Sequence, residues 1–288
     1  MRMTPSPSPE LAATDHRCPC GVRAGRTILR AQRYCRYGDA FAELEYSLVR
    51  CAGCGLVRTV PAPDEGTHEL FEDPTFIETY LEREPLFERF LTPVIDEVAR
   101  VVAAPARLVD VGANTGTLVR LAASAGYEAV GLELNEAGVA FAQGRGLDVR
   151  ASTLEDAGFA DGSIDAITMS AVAEHLHDLD GTFATCHRLL RPGGVLVTAN
   201  SPNIRSLAWL LEREGWYGLQ PQGHPWQFTP ATLTEILERN GFRLLERRTF
   251  GMHRDFGRNR KQRLKRAALR AAEHLGFGDA LTLVAARV

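Results

Sequence analysis

The sequence predicts an α/β fold built on a mostly parallel sheet, with a small cysteine-rich lobe ahead of it. Three observations carry this expectation. From Arg107 to Ala286, short apolar runs alternate with segments of helical spacing joined by brief loops, the pattern of strands covered by helices on both faces. The stretch Arg107 to Leu118, RLVDVGANTGTL, joins a buried strand through an acid and two glycines to a helix start, so its first free N–H groups face whatever is bound. Four of the six cysteines form two close pairs before that region begins. A chain of 288 residues, 45% hydrophobic, builds one sizeable core plus an appendage. A formal net charge of -3 does not advertise nucleic acid. With no eighteen-residue apolar run and no charged leader, the expectation is a cytoplasmic protein with no membrane partner.

Taken in order, residues 1–14 carry TPSPSPE without apolar period and read as a disordered tail. Residues 15–60 form the cysteine-rich lobe. Cys18-Pro19-Cys20-Gly21 and Cys51-Ala52-Gly53-Cys54-Gly55 supply two thiolate-bearing turns whose glycines suit a tight knuckle, and a hairpin between them would close a tetrahedral zinc site. Only one residue separates the first pair, where two are usual, so Cys35 and His16 compete for one ligand position. The alternative is a set of reduced cysteines in a lobe without metal. Residues 61–104 read as a turn-rich, acidic linker followed by helices covering the sheet, interrupted by Pro85 and Pro93, with Tyr80 and Phe87 either lining a pocket or packing helix to helix.

The main domain, 105–288, starts with a strand over Leu108 to Val111. Further strands follow at Ala129 to Glu133, Asp148 to Ala151, Ile164 to Met169, Val195 to Ala199, Phe242 to Arg248 and Ala280 to Ala286. Arg191-Pro192-Gly193-Gly194 reads as the turn before the fifth of these, and Thr229 as the cap of a helix opening on Pro230. The glycine turn fits the dinucleotide pattern poorly, because Asn114 takes the place of its middle glycine.

The run DVGANTG, followed by Glu133 at the end of the next strand, instead resembles the first two motifs of the class I S-adenosylmethionine-dependent methyltransferases. The resemblance extends over roughly Val94 to Gly241 with a matching final strand, and it implies a Rossmann-like, seven-stranded, mostly parallel sheet. It further implies that Asp110, Gly112, Ala113, Asn114 and Gly116 shape the cofactor turn and that Glu133 takes the ribose hydroxyls. Thr153 and Leu154 would meet the adenine, with Glu155 or Asp156 accepting from its amino group, and Ser170 and Ala171 would border the sulfonium. Glu174 and His175 resemble an acidic–histidine pair that follows this strand in small-molecule methyltransferases of the class. The cysteine pairs resemble a zinc-binding lobe found ahead of some such domains, with Cys18, Cys20, Cys51 and Cys54 as ligands.

Residues 204–228 form an insert holding all three tryptophans, expected to wall an apolar pocket. His224 within it is the first candidate for general base, against a reading in which it only fixes the loop. Residues 254–275 are basic yet carry an apolar face, which suits a solvated amphipathic helix. The expected function is methyl transfer from S-adenosylmethionine to an oxygen of a small biosynthetic acceptor, with a structural zinc and a homodimer as the expected assembly. Two alternatives stand beside it: an RNA methyltransferase using the lobe and basic helix, and a non-catalytic S-adenosylmethionine-binding protein.

Overall fold

A computed structural model describes residues 18–37, 40–63, 74–251 and 260–288. The tail 1–14, His16, Arg254 and Arg258 lie outside the described residues, as does the side chain of Cys35. Three strands come first: β1 (Gly25–Tyr37), β2 (Ala40–Cys51) and β3 (Val57–Val60). Helices α1 (Pro74–Glu82) and α2 (Glu84–Ala99) follow. Pro85 does not interrupt this pair but opens α2, where the missing N–H of a proline costs nothing.

The main domain continues as β4 (Arg107–Val111), α3 (Thr117–Ser124), β5 (Glu128–Glu133), α4 (Glu136–Gly144), β6 (Val149–Ala151), β7 (Ile164–Ser170), α5 (Leu179–Leu189) and β8 (Leu190–Pro202). It ends with α6 (Leu207–Glu212), β9 (Trp226–Gln227), α7 (Pro230–Arg239), β10 (Phe242–Phe250), α8 (Arg260–His274) and β11 (Ala280–Arg287). Seven of the strands form one sheet in the order β10-β11-β8-β7-β4-β5-β6, in which only β11 runs antiparallel to its neighbours. The order reverses at β4, so the carboxyl ends of β4 and β7 frame the crevice where ligands bind in such sheets.

Period-two alternation splits the strand residues between two cores. Val109, Ile167 and Leu196 pack against α5 and α7, whereas Leu108, Ala166 and Val195 pack against α2 and α3. Fully apolar strands are thereby explained: both faces are covered. Arg191–Gly194, read from sequence as a turn, lies inside β8 instead. Leu190 pairs with Ile164 and Val195 with Ala166, so these four residues form a bulge, with Gly193 at φ 74°.

The lobe is a second sheet, ordered β1-β2-β3-β9. Its fourth strand comes from residues 226–227, within the insert expected to wall the pocket. Trp209 and Trp216 are likewise buried against Tyr46, Leu48 and Val57 of the lobe. The insert therefore docks the lobe onto the main domain, because its large apolar rings have more surface to bury there than beside an open crevice.

Candidate functional site

A cavity of about 750 Å³ opens at the carboxyl ends of β4, β5 and β7. Its floor is the glycine turn. Gly112 has φ 73°, and a Cβ there would come within 2.5 Å of Val172 Cγ2, so both backbone conformation and space demand glycine. Asp110, Gly112, Ala113 and Asn114 all line the cavity. Gly116 does not. It precedes α3 at φ 78°, with Leu147 and Ala142 against it, so its task is to pack the helix rather than to approach a ligand.

Among the described residues, three of the four non-glycine residues with positive φ also line this cavity: Asn114, Ala171 and Asn200. Such conformations are held at a cost and concentrate where a backbone must be aimed. The side-chain oxygens of Asn114 and Asn200 are buried acceptors with no donor among the described residues. A bound molecule bearing N–H or O–H groups would satisfy them.

Glu133 closes β5 and accepts from three backbone N–H groups, those of Asn114 (2.7 Å), Leu134 (2.7 Å) and Asn135 (2.8 Å). Its carboxylate is locked across the glycine turn, with little rotational freedom left. Asp110 is buried, receives the Thr168 hydroxyl at 2.7 Å, and is pushed up to about 7 by burial, against the lowering effect of that bond. Thr153, Leu154 and Glu155 lie along the rim. The Thr153 hydroxyl donates to Asp156 at 2.8 Å, which turns Asp156 inward to the loop and leaves Glu155 on the cavity. Ser170 accepts from Asn200 Nδ2 at 2.7 Å.

The opposite wall is aromatic. Tyr80 and Phe87 stack face to face with centroids 4.0 Å apart, and both line the cavity with Phe90. They pack helix to helix and face the pocket at once. Burial, reinforced by the Asp110 charge, pushes the Tyr80 phenol up.

The three candidate catalytic groups come together beside this space. Potential ligand atoms of Glu174, His175 and His224 lie within 4.8 Å of one another, and the imidazoles meet edge to face at 4.5 Å. His175 lines the cavity, whereas His224 is buried behind it. His175 Nδ1 is 2.8 Å from the Gly223 carbonyl and His224 Nδ1 is 3.2 Å from that of Gly218. A carbonyl only accepts, so each Nδ1 carries the proton of its bond. Glu174 is pushed up to about 7 by burial, although it accepts from Ser201 Oγ at 2.7 Å. The same spacing would also suit a divalent cation with an open position. His177, Asn200 and Gln220 also line the cavity. Of these, Gln220 is the one sequence reasoning did not single out, because it reaches the site only through the fold of the insert.

The family model described as a methyltransferase domain matches residues 82–247, more than half of the chain. The chain belongs to this family. Among curated relatives, the ubiquinone biosynthesis O-methyltransferase of Mesorhizobium japonicum is 33% identical over 99 residues, which is 32% of this chain and 40% of that protein. A probable S-adenosylmethionine-dependent methyltransferase of Mycolicibacterium smegmatis is 32% identical over 137 residues, covering 47% of this chain and 51% of that one. The chain thus spans about half the length of the curated relatives it matches. Among solved structures, an S-adenosylmethionine-dependent methyltransferase from Archaeoglobus fulgidus superposes with TM-score 0.55 at 21% identity, covering 73% of this chain and 99% of that one. The fold is accordingly the Rossmann-like one of class I S-adenosylmethionine-dependent methyltransferases. No described helix is long and apolar enough to cross a membrane.

Ahead of the methyltransferase domain, the four cysteines converge. Sγ–Sγ distances are 3.4 Å for Cys18–Cys54, 3.4 Å for Cys18–Cys20 and 3.5 Å for Cys20–Cys51. A zinc held by sulfurs at about 2.3 Å needs edges of about 3.8 Å, a small expansion. Gly21 and Gly55 take φ of 79° and 75°, and a Cβ on Gly53 would strike Val22 at 2.8 Å. The Gly53 N–H points at Cys51 Sγ at 3.4 Å. Burial raises the Cys54 thiol to about 11; at Cys51 burial is outweighed by the N–H groups of Cys54 and Gly53, which bring it to about 7. The donor set and its knuckles fit a structural zinc, and the short Cys18–Cys20 spacing does not prevent convergence.

Proposed function

We propose that this protein transfers a methyl group from S-adenosylmethionine to an oxygen of a small apolar acceptor. The observation that carries the reading is that one cavity joins the glycine turn and Glu133 to the Tyr80–Phe87 wall and His175. Asp110, Gly112, Ala113 and Asn114 would hold the methionine end, Glu133 the ribose, Thr153, Leu154 and Glu155 the adenine, with Ser170 and Ala171 beside the sulfur. S-adenosylmethionine supplies, when bound, an electrophilic methyl on a positive sulfur. What the chain must add is alignment of the acceptor, exclusion of water and removal of its proton.

His175, which lines the cavity and is oriented through Nδ1 by the Gly223 carbonyl, would take that proton. His224, edge-on behind it, fixes the ring and shares the resulting charge with Glu174, whose carboxyl titrates near neutrality. This revises the order in which the two histidines were ranked from sequence: His224 becomes a positioning residue. The small-molecule reading is supported by the largely apolar cavity and by relatives named for an O-methyltransferase.

Incubation with methyl-labelled S-adenosylmethionine and separate small-molecule and RNA fractions tests the reading. Label is expected in a small product; label in RNA alone would overturn it. His175→Asn is expected to lower turnover about 10²- to 10⁴-fold, the usual contribution of a general base, with S-adenosylmethionine affinity unchanged. His224→Asn is expected to lower it less. Unchanged turnover in both variants would remove the histidines from the mechanism.

A further inference from the structure

A second cavity, of about 580 Å³, lies between the lobe and the segment after β8, and among the described residues it shares no lining residue with the first. Among the described residues four arginines line it, Arg26, Arg50, Arg205 and Arg213, and no aspartate or glutamate does. Arg26 and Arg50 stand directly opposite each other across β1 and β2. Like charges in that position repel, with Cβ atoms only about 5 Å apart, and a sheet selected for stability alone would place an acid in one of them. Among the described residues none of the four pairs with a carboxylate.

The other two arginines are pre-positioned. The Arg205 guanidinium lies over the Phe277 ring at 5.1 Å and that of Arg213 over Trp209 at 4.8 Å. Arg213 Nη2 also donates to the Ile28 carbonyl at 3.4 Å, which ties this wall to the lobe. Its backbone has φ 50° and ψ -118°, a conformation that side-chain-bearing residues rarely adopt. Repulsion tolerated at one wall and backbone strain tolerated at the other converge on a single space.

We propose that this cavity binds the diphosphate group of a small molecule, with the four guanidiniums as its ligands. A single carboxylate would leave most of this charge uncompensated, whereas two linked phosphates offer several negative charges and the planar oxygen edges that guanidinium groups engage in pairs. Four guanidiniums gathered around one cavity suit two adjacent phosphates rather than the continuous backbone of a nucleic acid. The proposal goes beyond methyl transfer and does not depend on it.

Calorimetric titration of the full chain with inorganic pyrophosphate tests this directly. One site per chain is expected, weakening as salt rises. Arg50→Thr, and Arg205→Ala on the other wall, should each weaken binding about tenfold or more, as expected when a charge-assisted hydrogen-bonding partner is lost. Arg243→Ala, at the far end of β10, should leave it unchanged. Pyrophosphate should also raise the unfolding temperature of the wild type, but not that of Arg50→Thr. Without ligand, Arg50→Thr should unfold no earlier than wild type, since one of two opposed like charges is gone. Absence of binding at millimolar pyrophosphate would overturn the proposal. Equal weakening by Arg243→Ala would do so as well, as would tighter arginine-dependent binding of a single-stranded oligonucleotide.

Discussion

Asp110 is the residue on which the chemistry of the proposed donor site turns. It was legible in the sequence as the acid before a glycine turn, but its burial and its Thr168 partner were not, because they depend on the neighbouring strand β7. Burial holds its carboxyl at about 7 rather than 3.8, so near neutrality half of the chains carry it protonated. A cationic donor binds the ionised form and pulls this value down, so binding releases a proton and affinity rises with pH. S-adenosylmethionine should therefore bind about tenfold more weakly at pH 6 than at pH 8, the ratio expected for one competing proton with a pKa near 7. In Asp110→Asn the affinity should be lower and flat across that range. Equilibrium titrations at a series of pH values decide it, and an unchanged slope in the variant would assign the proton elsewhere.

At the level of elements, the strands β4, β5 and β7 were readable because a sheet buried on both faces requires uninterrupted apolar runs. The insert 204–228 was not. Its tryptophans announce burial without naming the surface they bury, and β9 is only two residues long, held by pairing with β3. That pairing has a functional reach. The Thr59 hydroxyl donates to the His224 carbonyl at 2.7 Å, and the Thr59 N–H to the Pro225 carbonyl at 2.9 Å, so a lobe strand sets the backbone of a residue in the histidine pair. Thr59→Val keeps the shape and removes only the hydroxyl bond. It should lower turnover about three- to tenfold, the loss of one hydrogen bond's worth of positioning, with S-adenosylmethionine affinity unchanged. A parallel loss of cofactor affinity would mean that the lobe supports the whole crevice rather than His224.

For the whole molecule, the lobe and the methyltransferase domain divide the work unevenly. The walls proposed for the cofactor come from the large sheet and from α1 and α2, while all three tryptophans sit at the joint with the lobe: Trp209 and Trp216 against β2 and β3, and Trp226 in β9 with its Nε1 bonded to the Leu176 carbonyl. Tryptophan emission is therefore a reporter of the joint. The four cysteines lie at the base of the hairpin that feeds this joint, since Cys51 ends β2. Removing a zinc from them would release the link among four side chains and loosen β3 against β9. A strong chelator should release one zinc per chain, shift tryptophan emission toward that of solvated rings, and slow methyl transfer, while S-adenosylmethionine still binds within about twofold of its original affinity, since removing a metal costs binding only where the metal supports the site. Cys51→Ser should reproduce all three effects without chelator. Loss of cofactor binding together with the emission shift would show instead that the two parts fold as one cooperative unit.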